Sequence, residues 1–161
     1  TEGYNIDFEG VIKAFEIRMK KKTKIIIRLH PNVAFQKGKI RFSENILDGT
    51  DYPNMQDLAL VCDAVISDYS STLFDFSMLA KPAFVCALDY KEYEEKRGFI
   101  PEFYEFPFPF ATSNNELINV IQKYDEKEYK DNISFFYSKY PTYCDGHSSK
   151  RVCDWILNHM V

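Results

Sequence analysis

Short apolar runs alternate with longer segments of helical period along this chain, and that alternation constrains its fold more than any other feature. Lys24-Ile-Ile-Ile-Arg-Leu29, Ala64-Val-Ile-Ser67 and Pro82-Ala-Phe-Val-Cys-Ala87 are too short for helices. Their centres are apolar runs rather than alternating patterns, as in strands buried on both faces. A further short strand is expected at Ile40-Arg-Phe42. Helical spacing places Phe8, Val11, Ile12, Phe15 and Met19 on one stripe behind an Asp7 N-cap, and Lys20–Lys22 suits that helix's C-terminal dipole. Further helices are expected at Met55–Cys62, through Leu73, Phe76 and Leu79, at Lys91–Lys96, Asn114–Lys123, Glu126–Ser138 and Ser148–Met160. Strands that alternate with helices require crossovers, so the chain reads as α/β with a parallel, doubly wound sheet. Residues 99–110, FIPEFYEFPFPF, follow neither period and read as an irregular aromatic crossing segment.

The 161 residues fit one domain spanning 1–161. Hydrophobic residues at 45% and charged residues at 27% exclude a disordered chain, and a net charge of −4 argues against bulk nucleic-acid binding. Cys62, Cys86, Cys144 and Cys153 are widely spaced without a CxxC, which favours reduced thiols over a disulfide framework or a zinc site. No apolar run is long enough to span a bilayer, and no signal peptide is visible. The first residue is Thr1 rather than methionine, so a piece of a longer protein is expected.

Residues 65–76, VISDYSSTLFDF, carry a strand directly into a helix through hydroxyls and one carboxylate, with no glycine. In open α/β sheets ligands bind beyond the carboxyl ends of strands. A helix start with unpaired N–H groups and serine hydroxyls attracts phosphate. The same residues are also ordinary N-caps, and Thr72 with Asp75 makes a T-x-x-D capping signature. His30, at the end of the first strand, could exchange a proton near neutral pH or simply close a turn before Pro31. Arg151 stands at the start of the last helix, where a cation opposes the dipole unless an anion is shared there. The Lys20–Lys22 run is a solvated helix end, with peripheral attachment to an anionic membrane as the minority reading.

In order, RLHPN (28–32), DYPNMQDLALVCDAVISDYSSTLFDF (51–76), a KP-led strand (81–87), RGF (97–99) and DGHSSKRV (145–152) resemble the CDP-glycerol glycerophosphotransferase family of teichoic-acid primases and polymerases. The resemblance runs over nearly the whole chain. It implies a Rossmann-like domain, the C-terminal half of a GT-B fold, in which an acceptor hydroxyl attacks the β-phosphorus of CDP-glycerol or CDP-ribitol and releases CMP. By position, His30 matches the family's catalytic histidine. Arg28, Ser70, Ser71, Ser149 and Arg151 match donor-binding positions, with Asp68, Arg97 and Asp145 in support.

The resemblance further implies a partner region, the N-terminal acceptor domain, which together with the family's first C-domain strand is absent from these residues. That absent half also supplies a second histidine, so the fragment alone is expected to be inactive. No cofactor is implied; the nucleotide-activated alditol is a substrate, and a divalent metal requirement stays open. The expected location is the cytoplasm, at the cytoplasmic face of the membrane in the full-length protein, with peripheral membrane contact and no nucleic-acid partner. Lys150 stands where the family commonly has glutamate, and Pro107-Phe108-Pro109 replaces a PGP-like turn, which leaves the alditol open. Two rivals remain: a GT-B glycosyltransferase using another nucleotide sugar, and a non-catalytic α/β interaction module.

Overall fold

Five short strands carry the fold, all of them paired in parallel in a computed structural model that describes residues 5–160. β1 (Ile25–Ile27) pairs with β2 (Ile46–Asp48), and β3 (Val65–Ser67), β4 (Ala83–Cys86) and β5 (Phe110–Ala111) form a second ladder in that order. The registers are Ile25 opposite Ile46, Val65 opposite Ala83, and Val85 opposite Phe110. β4 is central in its ladder and buried along its whole length, which is why its sequence is an unbroken apolar run.

α1 (Phe8–Met19) begins at Asp7, whose carboxylate accepts the Gly10 N–H. Its stripe of Val11, Ile12, Ala14 and Phe15 is buried. Phe15 meets Phe84 of β4 edge to face at 5.7 Å, and α1 lies against α5 (Asn114–Gln122). Arg18 joins the two by donating to the Tyr124 carbonyl at 2.5 Å. α3 (Thr72–Met78) is the crossover from β3 to β4 and packs on both strands through buried Leu73 and Phe76. α6 (Glu126–Lys139) closes the core: Tyr129 Oη accepts the Ala83 N–H and donates to the Lys81 carbonyl, both at 3.1 Å.

α2 (Met55–Val61), α4 (Tyr90–Arg97) and α7 (Ser148–His159) complete the helices, with 3-10 turns at Pro31–Lys39 and Pro101–Glu105. The strand expected at Ile40–Phe42 is instead β2, a few residues later. Ile40 N–H bonds back to Lys37 and closes the 3-10 turn, whereas Ile25 N–H bonds to Asn45 and Gly49 N–H bonds to Ile27. A Cβ on Gly49 would meet Ile26 Cγ2 at 2.5 Å, so that close approach requires glycine. β5 emerges from the segment read as irregular, with the Pro109 carbonyl accepting the Val85 N–H.

Candidate active site

The two polar clusters marked in the sequence sit at carboxyl ends of β1 and β3. Beyond β1, Leu29 N–H reaches Thr50 Oγ1 at 3.5 Å, and the Arg28 guanidinium donates to the Tyr52 carbonyl. The loop after β2 is thereby tied over residues 28–30. His30 is exposed at the N-cap of the 3-10 turn, and its Nδ1 accepts the Asn32 N–H at 3.2 Å. A ring whose Nδ1 is an acceptor carries its neutral-form proton on Nε2, so the imidazole offers a donor at that atom.

Sequence pattern did not reveal the neighbouring ion pairs. Lys37 Nζ lies 2.6 Å from Asp48 and 2.7 Å from Asp51. Hydrogen bonds from Lys37 and Thr50 hold the Asp48 carboxyl below its ordinary range.

Beyond β3, no residue from 67 to 72 takes a positive φ, which is why the turn dispenses with glycine. Ser70 Oγ accepts the Thr72 N–H at 3.2 Å and donates to Thr72 Oγ1 at 3.0 Å. The cap of α3 therefore belongs to Ser70, and the T-x-x-D signature read at Thr72 and Asp75 does not operate. Ser71 occupies the N-cap position with φ −61° and ψ −15°, makes no capping bond with its side chain, and is exposed. Asp68 is half-buried in the same loop. Burial first, and then the Asp68 charge, push the Cys86 thiol up to about 11. Tyr69 is engaged by α4 and the residue before it: its ring lies 3.9 Å from Tyr93, tilted by 30°, and its hydroxyl donates to Asp89 at 2.9 Å. Arg97 lies 5.7 Å over the Tyr93 ring. Sequence reading left Tyr69, Asp89 and Tyr93 unmarked, although Tyr90, Tyr93, Phe99 and Phe103 are close enough in the chain to have signalled an aromatic cluster.

The third cluster stands apart. Both Asp145 oxygens accept from Arg151 Nη1 at 2.8 Å, while Nη2 donates to the Tyr143 carbonyl at 2.5 Å and to Ser148 Oγ at 3.0 Å. The anion expected beside Arg151 is thus its own chain's Asp145, whose carboxyl is held below the usual range chiefly by that guanidinium. Ser149 is exposed on the first turn of α7, a helix with no buried residue; its Trp155 is 63% exposed. The hydrogen bonds of Asp145 and Arg151 stay within residues 143–151, so they do not join these residues to the β1 and β3 ends.

Two cavities lie elsewhere as well. One of about 630 Å³ between residues 105–109 and α6, and one of about 220 Å³ among the aromatic side chains beside β4 and β5, include none of the marked residues. Among the described residues no group of three or more His, Cys, Asp or Glu is placed to hold a metal ion, and no helix is long and apolar enough to cross a membrane.

A parallel α/β domain with its polar clusters at strand carboxyl ends belongs to the Rossmann-like class that takes ligands at that edge. The particular family follows from comparison. The model of the family described as CDP-Glycerol:Poly(glycerophosphate) glycerophosphotransferase matches residues 2–158, and the chain belongs to that family. It is 32% identical over 158 residues to the teichoic acid glycerol-phosphate transferase of Staphylococcus aureus, covering 96% of this chain and 40% of that protein. Over 138 residues it is 32% identical to the teichoic acid ribitol-phosphate primase of Bacillus spizizenii, covering 85% of this chain and 35% of the relative.

Among solved structures, the wall teichoic acid polymerase TagF superposes with a TM-score of 0.73 at 25% identity, over 97% of this chain and 38% of the polymerase. A TagF variant soaked with CDPG gives a TM-score of 0.69 at 25% identity, over 91% of this chain and 38% of that one. The fold is accordingly a parallel α/β arrangement similar to part of TagF, a GT-B-like polymerase. The chain spans about 40% of the length of the first of these relatives.

Proposed function

We propose that residues 1–161 form the donor-binding domain of a CDP-alditol phosphotransferase that builds a teichoic-acid-like envelope polymer. The observation that carries this reading is a family match over residues 2–158, together with an exposed His30 beyond β1 and an exposed Ser71 beyond β3 at the family's motif positions. The relatives include a glycerol-phosphate transferase and a ribitol-phosphate primase, and a TagF variant was soaked with CDPG. These support a cytidylyl donor carrying a short polyol.

In this reading the acceptor's hydroxyl oxygen bonds to the β-phosphorus, the bond from that phosphorus to the bridging oxygen breaks, and CMP leaves with the electron pair. The acceptor's proton passes to a base outside these residues, in the acceptor-binding half. Phosphoryl transfer is governed by positioning and by stabilising spread-out negative charge. Ser71 holds the diphosphate through its hydroxyl, and Ser70 does so as its O–H turns from Thr72 Oγ1, adding donors without adding charge of the wrong sign. His30 donates from Nε2 to the oxygen on which charge develops. Arg28, held by the Tyr52 carbonyl, adds positive potential. Asp68 shapes the loop, since a carboxylate against phosphate is repulsive. In this reading donor binding brings Ser149 and Arg151 of α7 to the diphosphate and draws the Arg151 guanidinium from Asp145, with Arg97 and Asp145 in support. The full-length protein acts in the cytoplasm, at the inner face of the membrane, with its acceptor-binding half as partner.

Isothermal titration of the full-length protein with CDP-glycerol, CDP-ribitol, CMP-sialic acid and a UDP-sugar tests the assignment. A CDP-alditol is expected to bind and the UDP-sugar is not. Binding of the UDP-sugar alone would replace this reading with a glycosyltransferase. No binding by any of the four would leave an interaction module.

A further inference from the structure

Tyr69 has no part in the reaction as described, yet its geometry is that of a clamp. It immediately precedes Ser70 and Ser71. Its ring lies 3.9 Å from Tyr93 with a 30° tilt and 5.4 Å from Phe99, and the Tyr69 hydroxyl donates to Asp89 Oδ1 at 2.9 Å. Asp89 is the first residue before α4, and its side chain makes no capping bond to that helix. Its hydrogen bond is directed to Tyr69 instead. Burial and the neighbouring Asp89 hold the phenol well above its ordinary range, so the O–H stays available as a donor.

Packing against the core, in which the Tyr69 ring takes part, does not account for its hydroxyl. α4 has no buried residue, and aromatic contacts fasten it to the sheet: Tyr93 faces Tyr69, and Tyr90 meets Phe110 of β5 edge to face at 5.5 Å. If packing were the whole requirement, phenylalanine would meet it, because a hydroxyl near a fold's interior adds a polar group that must be satisfied. Here the hydroxyl spans two loops, one after β3 and one after β4.

We propose that Tyr69 is a positioning residue for the donor: by holding the β3 loop against Asp89 and Tyr93, it fixes where Ser70 and Ser71 present their hydroxyls to the diphosphate. This rests on the function proposed above. The interaction acts on the bound donor before and during reaction alike, so its loss should raise the donor KM and leave kcat little changed.

The test uses the full-length enzyme with Tyr69→Phe, Asp89→Ala, their double variant, Tyr69→Leu, and a Ser70→Ala/Ser71→Ala variant as reference. Tyr69→Phe and Asp89→Ala are each expected to raise the donor KM about fivefold, the worth of one net hydrogen bond, with kcat within about twofold. The double variant should be no worse than either single one, since both remove the same bond. Tyr69→Leu, which also loses the ring stack, should raise KM further, and Tyr69→Phe should recover part of that loss.

Single variants that lower the melting temperature but leave the donor KM unchanged would overturn the proposal, as would effects that multiply in the double variant. An unchanged donor KM in the Ser70→Ala/Ser71→Ala variant would overturn the donor-site reading itself, and this inference with it. A raised KM there beside an unchanged one in Tyr69→Phe would overturn the clamp alone.

Discussion

His30 Nδ1 accepts the backbone N–H of Asn32 at 3.2 Å, so the histidine's own 3-10 turn occupies one of its two ring nitrogens. Only Nε2 is left for a ligand, and in the neutral ring it carries the proton. In the role proposed above, His30 therefore acts as a donor to charge rather than as a base. In the full-length enzyme, His30→Ala should lower kcat by about a hundredfold or more, the usual cost of losing a donor aimed at developing charge. Glutamine places an amide N–H close to the position of Nε2, so His30→Gln should recover about tenfold of that loss. Equal activity in the two variants, measured by CMP release, would contradict the donor role.

Lys81 acts on stability rather than chemistry. Its Nζ donates to the carbonyls of Ala59, Leu60 and Cys62 at 2.8, 2.6 and 2.7 Å, closing the C-terminal end of α2 with a cation where the dipole favours one. Lys81→Met keeps most of the stem and removes all three bonds. The expected loss is about 2 kcal/mol, read as a fall in melting temperature of about 5 °C in the full-length protein. A change below about 1 °C would mean that water replaces the ammonium without cost.

The four thiols should separate by reactivity. Cys86 is buried, with its pKa pushed up to about 11, whereas Cys144 and Cys153 are exposed. Reaction proceeds through the thiolate. Brief iodoacetamide treatment at pH 8, followed by peptide mass spectrometry, should label Cys144 and Cys153 well before Cys86. Early labelling of Cys86 would contradict its burial at the end of β4.

The Asp145–Arg151 pair gives a pH dependence of known sign. The folded carboxyl lies below its ordinary value, chiefly because of the Arg151 guanidinium and next because of the His147 N–H. A depressed folded pKa contributes stability that is present above the unfolded carboxylate range and is lost as pH falls through the folded value. The 143–151 turn should therefore hold at neutral pH and loosen in acid. Carbon-detected NMR titration should find the Asp145 carboxyl below the usual aspartate range, and Arg151→Gln should return it towards that range. The same midpoint in both proteins would show that the pair does not persist in solution.

Legibility followed locality. β4 was readable because every residue from Ala83 to Cys86 is buried, so an apolar run marks it without help from its neighbours. The Asp7 cap, its bond to Gly10 and the stripe behind it were readable for the same reason. β2 was not: of Ile46-Leu-Asp48 only Ile46 is buried, and the strand exists because β1 offers hydrogen bonds at that register. β5, only two residues long and preceded by Pro109, carries too little pattern to mark itself.

At the site, His30 and the Ser70–Ser71 pair were visible as polar residues at strand ends. The Tyr69–Asp89 bond and the Lys37 pairs with Asp48 and Asp51 were not, since strand pairing rather than chain proximity brings their partners together. Arg151 was marked for an expected anion, and that anion proved to be Asp145, on the same turn.

The most direct test is a structure of the full-length protein with CDP-glycerol bound. The Oγ atoms of Ser70 and Ser71 and the Nε2 of His30 are all expected within hydrogen-bonding distance of the same diphosphate, with the β-phosphorus open to the acceptor-binding half. A diphosphate seated away from the β3 loop, or an imidazole turned from it, would overturn the proposed donor site.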